Sequence, residues 1–350
     1  MITFNCIDRK KLEGILKGIS NIKVAVIGDI SLDVYWRADM TKSELSRETP
    51  HFNLPVVEEC MSPGAGGNTA ANVVALNPSK AYILSVVGDD WRGNVLVQEL
   101  IKRGINTKGI IISDKVVTNA YCKPMRKGIS NLEYEDPRID FANYDVLPSE
   151  VEEKLLRDLE QVSAKIDVLC VTDQFAFGCV TKRVRERIME LSRRGLMVVV
   201  DSRDRIALFR DVILKPNELE GYRAVYDNDA PGKNSFEARI KAAGILAERN
   251  SSKVCMTLGE KGCVYIDEGN VSYIPSYEVK PPIDTCGAGD TFLAAFSCAL
   301  AAGAVGVEAA SFANMAANVT IKKHGMTGTA SPEEIMARYD EIFGTGVCNT

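Results

Sequence analysis

The chain has 350 residues, 46% hydrophobic and 25% charged, with a formal net charge of -5. That is enough sequence to bury a sizeable α/β core, and it contains no low-complexity tract that would keep it disordered. Lysines and arginines lie scattered among acids, which argues against a nucleic-acid partner. Charges at Asp8, Arg9, Lys10, Lys11 and Glu13 leave Met1 to Ser20 no apolar stretch for a signal peptide, so the expected location is the cytoplasm.

In chain order, short β-branched runs alternate with helical periods. Strands are predicted at 23–29, 81–88, 167–172, 196–202, 212–216 and 253–258. Helices are predicted at Trp91 to Arg103, Ser149 to Ala164, Thr181 to Arg194, Ser235 to Asn250 and Pro332 to Phe343. A near-continuous apolar strand must be covered on both faces, so the alternation predicts a mostly parallel sheet with crossover helices on either side. Residues 34–62 and 115–145 break the pattern with aromatics, prolines and alternating polar positions. They are predicted to be extra strands outside the main sheet, a flap over its edge. No linker or internal repeat interrupts the chain, so residues 1–350 are read as one domain with that appendage. The uncharged run Thr291 to Val307 approaches the length of a membrane span, but its Ala, Gly and Ser content predicts a buried helix packed on the sheet, with no membrane partner. The ten cysteines include no CxxC pair and are expected to be reduced thiols.

Chemistry concentrates in a few strings. DTCGAGD, Asp284 to Asp290, runs directly into the uncharged helix. Its small residues Gly287, Ala288 and Gly289 let backbone N–H groups at a helix N-terminus point outward as an anion hole, and Asp290 in the first turn can reach a hydroxyl beside that anion. PGAGGNTAAN, Pro63 to Asn72, offers Gly64, Gly66 and Gly67 for close backbone approach and Asn68 as donor and acceptor to a sugar hydroxyl. GDISLD places Asp29 and Asp33 just past the first strand, where open α/β sheets bind ligands. KPNELE follows the 212–216 strand and contains Asn217 and Glu220; asparagine followed by acids is also a good helix cap. His51 and His324 are read as surface or loop histidines.

These strings together resemble the ribokinase, or phosphofructokinase B, family of carbohydrate kinases, over nearly the whole chain. The resemblance implies a ribokinase-like three-layer fold with a small β lid made by 34–62 and 115–145, and ATP-dependent phosphoryl transfer to a hydroxyl of a sugar or sugar phosphate. It further implies Asp290 as catalytic base, with Gly287, Ala288 and Gly289 as the anion hole. Asp29 and Asp33 would contact the acceptor, and Asn217 and Glu220 would organise Mg2+ near the triphosphate. TLGEKG, with Thr257, Gly259 and Gly262, resembles the family's nucleotide-phosphate turn. A monovalent cation, K+, beside the anion hole and a homodimer formed through the lid are further implications. Ala65 departs from the pattern, standing where a second glycine is usual.

Within the family the likeness runs to the heptose 7-phosphate kinases, on GDISLDVYW, SRETPHFNLPVVEE and TGTASPEEI. Where those kinases carry a lysine after a strand-ending Asp-Pro, this chain has Asp201, Ser202 and Arg203, and Arg203 is the expected reader of an acceptor phosphate. Their bifunctional members add a cytidylyltransferase domain, which is not expected here because neither histidine sits in a paired motif. A rival reading from another class is a non-catalytic sugar or nucleotide sensor on the same fold. A nicotinamide dehydrogenase is set aside because GDISLD supplies no G-x-G-x-x-G after the first strand.

Overall fold

Alternate residues of a strand face opposite ways, and in the segment Lys23–Gly28 both sets are apolar: Val24 and Val26 enter one core, Ala25 and Ile27 the other. Such a strand is stable only in the middle of a covered sheet. The structure is a computed structural model describing residues 1–130, 132–226, 235–324 and 327–344.

The chain begins with β1 (Ile2–Thr3), α1 (Arg9–Ile19), β2 (Lys23–Gly28), β3 (Ile30–Asp39), β4 (Val56–Ala65) and α2 (Gly66–Ala75). Then come β5 (Lys80–Gly88), α3 (Trp91–Lys102), β6 (Ile110–Ser113), β7 (Ala120–Lys127), β8 (Glu133–Glu135), β9 (Ile139–Phe141) and α4 (Ser149–Ser163). The middle holds β10 (Val168–Asp173), α5 (Lys182–Arg193), β11 (Met197–Ser202), β12 (Ile213–Leu214), α6 (Glu218–Arg223) and α7 (Phe236–Asn250). It closes with β13 (Lys253–Thr257), β14 (Cys263–Asp267), β15 (Asn270–Ile274), α8 (Ala288–Ala301), α9 (Gly306–Thr320) and α10 (Pro332–Phe343).

Ten strands form the main sheet in the order β1-β15-β14-β13-β12-β11-β10-β2-β5-β6, parallel except at the β13-β14-β15 hairpins. One face is covered by α1, α2, α3, α8, α9 and α10, the other by α4, α5 and α7. From β2 the chain builds outward to β5 and β6, then returns to β10 on the other side. The crevice beyond the carboxyl ends of β2 and β10 is therefore a topological switch point, where such sheets bind ligands.

A second sheet of five strands stands on this crevice, ordered β4-β3-β7-β8 with β9 against β7. It is made from the two segments predicted as extra strands, of which Asn131 lies outside the described residues. The boundary differs, however. β3 starts at Ile30 and pairs with β4 as far as Ala65, so Pro63 to Ala65 are strand and α2 begins only at Gly66. The glycine string is thus less a turn than the end of a ladder.

α1 and α9 were not anticipated. In α1, Leu12, Ile15 and Ile19 form the buried stripe, a helical spacing hidden by five charged residues. α9 is buried nearly all round, so it lacks the polar face that makes periodicity visible. The uncharged run is divided by a turn at Gly303 between α8 and α9, and Phe292 to Ala299 of α8 are buried. No helix among the described residues is long and apolar enough to cross a membrane. Cys6 is disulfide-bonded, against the expectation of reduced thiols throughout: pairing follows from what the fold brings alongside, which spacing does not show. Cys348 lies outside the described residues.

Candidate active site

The first turn of α8 is shaped by Gly287, whose φ of 78° is left-handed. A Cβ there would also lie 2.5 Å from Asn68 Nδ2, so no other residue fits. Of the three predicted anion-hole residues, Ala288 is the exception, because its N–H donates to Thr285 O at 3.2 Å. Among the described residues the N–H groups of Gly287, Gly289 and Asp290 have no acceptor, and they make the open cradle at the positive end of the helix.

Asp290 is held from α2, across 222 positions of sequence. Asn68 Nδ2 donates to its Oδ2 at 2.8 Å, and Thr69 Oγ1 donates to its Oδ1 at 3.2 Å. One turn along α2, Asn72 Oδ1 accepts from Thr291 Oγ1 at 2.9 Å, so five polar side chains stitch the small-residue faces of α2 and α8 together. Asn68 is therefore a buried anchor of the aspartate, a role its expected contact with a sugar hydroxyl did not include. Although Asp290 keeps an opening to solvent, protein crowds its carboxyl, and that burial, assisted by the like charge of Asp201, pushes its pKa up to about 6 against the pull of Asn68, Lys215 and Thr69.

The two aspartates of GDISLD part company. Asp29 is buried, and its carboxylate accepts three backbone N–H groups, from Gln174 and Phe175 at 2.8 Å and Cys179 at 2.7 Å. It anchors the loop after β10, and a carboxylate so engaged is turned to the chain, not to an acceptor. Burial and the like charge of Asp173 raise its pKa to about 6. Asp33 instead lies in the ladder of the small sheet beside Gly64, where a Cβ would come within 2.9 Å of its Oδ2. Burial raises its pKa, opposed by Lys123 and Arg138. The Ser31 hydroxyl, also against Gly64, is buried with no partner among the described residues. Gly66 and Gly67 serve packing: their Cβ positions meet Thr172 and Pro63. Ala65 keeps a glycine-like backbone, with φ 49° and ψ -129°.

Between the small sheet and the glycine turn lies a cleft of about 110 Å³, lined among others by Tyr35, Arg37, Cys286 and Thr327. Its lining pairs Arg37 with the Glu133 carboxylate and also holds Asp284, and the charge of Lys123 reaches Cys286. Lys123 on β7 donates to Tyr35 OH at 2.9 Å, Arg138 lies over the Tyr121 ring, and the charge of Arg203 reaches Tyr121 and Glu220. Arg203 is exposed, so the structure puts it beside the small sheet with its fork open. A larger cavity, about 290 Å³, sits on the far side of Asp29 and does not include Asp290.

On the opposite flank Asn217 caps α6, accepting from Leu219 N at 2.9 Å and Glu220 N at 2.8 Å, while Glu220 Oε2 accepts from Asn217 N at 2.8 Å. This capping box is the structural role open to KPNELE from the start, and it leaves one Glu220 oxygen without a partner among the described residues. Burial and Asp201 push Glu220 up to about 7, so a cation placed there would relieve it. Thr257 forms an isolated bridge with Asn217, and the turn bearing Gly259 and Gly262 joins β13 to β14, which brings TLGEKG beside KPNELE. Sequence reasoning passed over Lys215, whose buried ammonium lies 2.8 Å from Asp201 Oδ2. Burial lowers its pKa, but the carboxylates of Asp201, Glu220 and Asp290 outweigh it and the net shift is upward.

Comparison with known proteins gives the family and the fold. The pfkB family carbohydrate kinase description fits residues 211–334. The chain is 30% identical over 339 residues to the bifunctional protein HldE of Geobacter metallireducens, covering 94% of this chain and 65% of that protein. It is 30% identical over 346 residues to the protein of the same name from Geobacter sulfurreducens, covering 97% and 67% respectively. The chain thus spans about two thirds of the length of these curated relatives. Its fold superposes on the ribokinase of Thermotoga maritima with a TM-score of 0.66 at 23% identity, over 91% of this chain and 99% of that one.

Proposed function

The chain belongs to the pfkB family of carbohydrate kinases, and from that premise we propose that it moves the γ-phosphoryl group of ATP to a hydroxyl of a sugar phosphate resembling heptose 7-phosphate, with Asp290 as catalytic base. The observation that carries this is the meeting of Asp290, Asn68 and the open N–H groups of the α8 turn, next to a cleft whose lining includes Cys286 of the same turn.

In this reading Ser31 and Asp33 hold acceptor hydroxyls, and Arg203 takes the acceptor's phosphate through its planar fork. Asp290 receives the proton of the attacking hydroxyl as the new oxygen–phosphorus bond forms and the bond to ADP breaks. The N–H groups of Gly287, Gly289 and Asp290 face the charge that develops on the phosphoryl oxygens. Glu220 and Asn217 would order Mg2+ and its waters, and Thr257, Gly259 and Gly262 would receive the nucleotide phosphates. Mg2+, when bound, neutralises charge on the triphosphate. K+ beside the glycine turn belongs to the same proposal. The small sheet acts as a lid that excludes water. Its exposed apolar side chains Val56, Val57, Tyr134 and Ile139 support a homodimer through that sheet.

The test is a panel of free and phosphorylated sugars with purified protein, ATP and Mg2+, read as ADP release. Phosphorylated heptoses and hexoses should exceed their unphosphorylated counterparts. Release with free sugars alone would remove the sugar-phosphate assignment, and no release with any acceptor would remove the kinase reading.

A further inference from the structure

Lys215 follows the two residues of β12, at the carboxyl edge of the sheet, and is 2% exposed. Its Nζ has one hydrogen-bonding partner among the described residues, Asp201 Oδ2 at 2.8 Å. An ammonium carries three donors, so two N–H bonds are left without an acceptor among the described residues. Burying a cation in that state is costly unless another acceptor arrives.

The position of the group says what that acceptor is. A Cβ built on Gly289 would lie 3.9 Å from Lys215 Nζ, so only the missing side chain of a glycine separates the ammonium from the turn whose N–H groups stand open. Asp201 braces the lysine from the other side. The neighbouring carboxylates, Glu220 on α6 and Asp290 on α8, flank the same space without bonding to the ammonium.

We propose that Lys215 is a catalytic residue of the phosphoryl transfer: its ammonium, steadied by Asp201, is the side-chain cation that faces the phosphoryl group as it crosses the glycine turn. The inference rests on the kinase reading above. In the step itself the oxygen–phosphorus bond to the acceptor forms, the electron pair of the breaking bond leaves with ADP, and the proton goes to Asp290. Lys215 gains and loses no proton, and its two open N–H bonds meet phosphoryl oxygens whose negative charge grows in the transition state.

Two variants of the full chain test this, Lys215→Met and Lys215→Gln. Glutamine keeps a donor for Asp201 and removes only the charge, so it answers the question even if the methionine variant does not fold. Both should lose kcat by about 100-fold or more, the usual consequence of removing one charge-stabilising donor from a transition state. KM for ATP and for the acceptor should stay within about threefold, and affinity for ADP with aluminium fluoride should fall in step with kcat while affinity for ADP alone holds. A Lys215→Gln enzyme with kcat within about threefold of wild type would show that the lysine only fills and neutralises its site, and would overturn the inference alone. Wild-type protein that releases no ADP with any acceptor would overturn the kinase reading and this inference with it.

Discussion

Asp290→Asn should make the protein nearly inactive and at the same time more stable. The native carboxyl sits at about 6 instead of its ordinary 3.8, which at about 1.4 kcal/mol per pH unit corresponds to about 3 kcal/mol of unfavourable ionisation at neutral pH. The folded state holds this proton more tightly than the unfolded chain, so the fold gains stability as pH falls from about 6 toward 4 and carries the full cost above 6. Asparagine removes that cost but can accept from only one of Asn68 and Thr69, a loss of about 1 kcal/mol. The net expectation is a gain of about 2 kcal/mol near pH 7.5, read as a shift in denaturant midpoint at unchanged slope. Turnover should fall by about 100-fold or more, because the hydroxyl proton has no acceptor. For wild type, kcat/KM should be level above about pH 7 and fall about tenfold per pH unit below about 6, since the base must be ionised. A variant that keeps a tenth of wild-type turnover, or a wild-type profile flat from pH 5 to 8, would refute the assignment of Asp290 as base. A destabilised but inactive variant would refute the electrostatic account of its burial.

Arg203→Ala should raise KM for a sugar phosphate by about 10- to 100-fold, the loss of one charge-assisted contact, with KM for ATP and activity on free sugars unchanged; initial rates across both acceptor types check this. Glu220→Gln keeps an oxygen for Asn217 N, so the α6 cap should survive while the Mg2+ concentration for half-maximal rate rises by about 10-fold, measured by metal titration. Ala65→Gly removes a positive φ from a residue with a side chain, which costs about 1–3 kcal/mol, against the greater flexibility of unfolded glycine; denaturant melts should show a net gain of about 1 kcal/mol.

Strands β2, β5, β10, β11 and β13 and helices α3, α4, α5, α7 and α10 were legible in the sequence because each carries its own period or a doubly apolar run. The anion-hole turn was legible for a similarly local reason: DTCGAGD encodes a helix start, a left-handed glycine and a first-turn acid within seven consecutive positions, Asp284 to Asp290. α1 and α9 were missed where charge or uniform apolarity blurred the period. What only the tertiary structure decided is which polar groups face one another. Asp29 and Asp33 read alike along the chain, yet one is closed by three N–H groups of the loop after β10 and the other lies in the small-sheet ladder against Gly64. Asn68 looked like a ligand contact until α2 met α8 across 222 positions, and Lys215 looked like an ordinary lysine until β12 buried it beside Asp201. A hydrogen bond depends on positions within a few tenths of an ångström, and a local pattern sets the direction of a side chain but not the partner that folding brings to it.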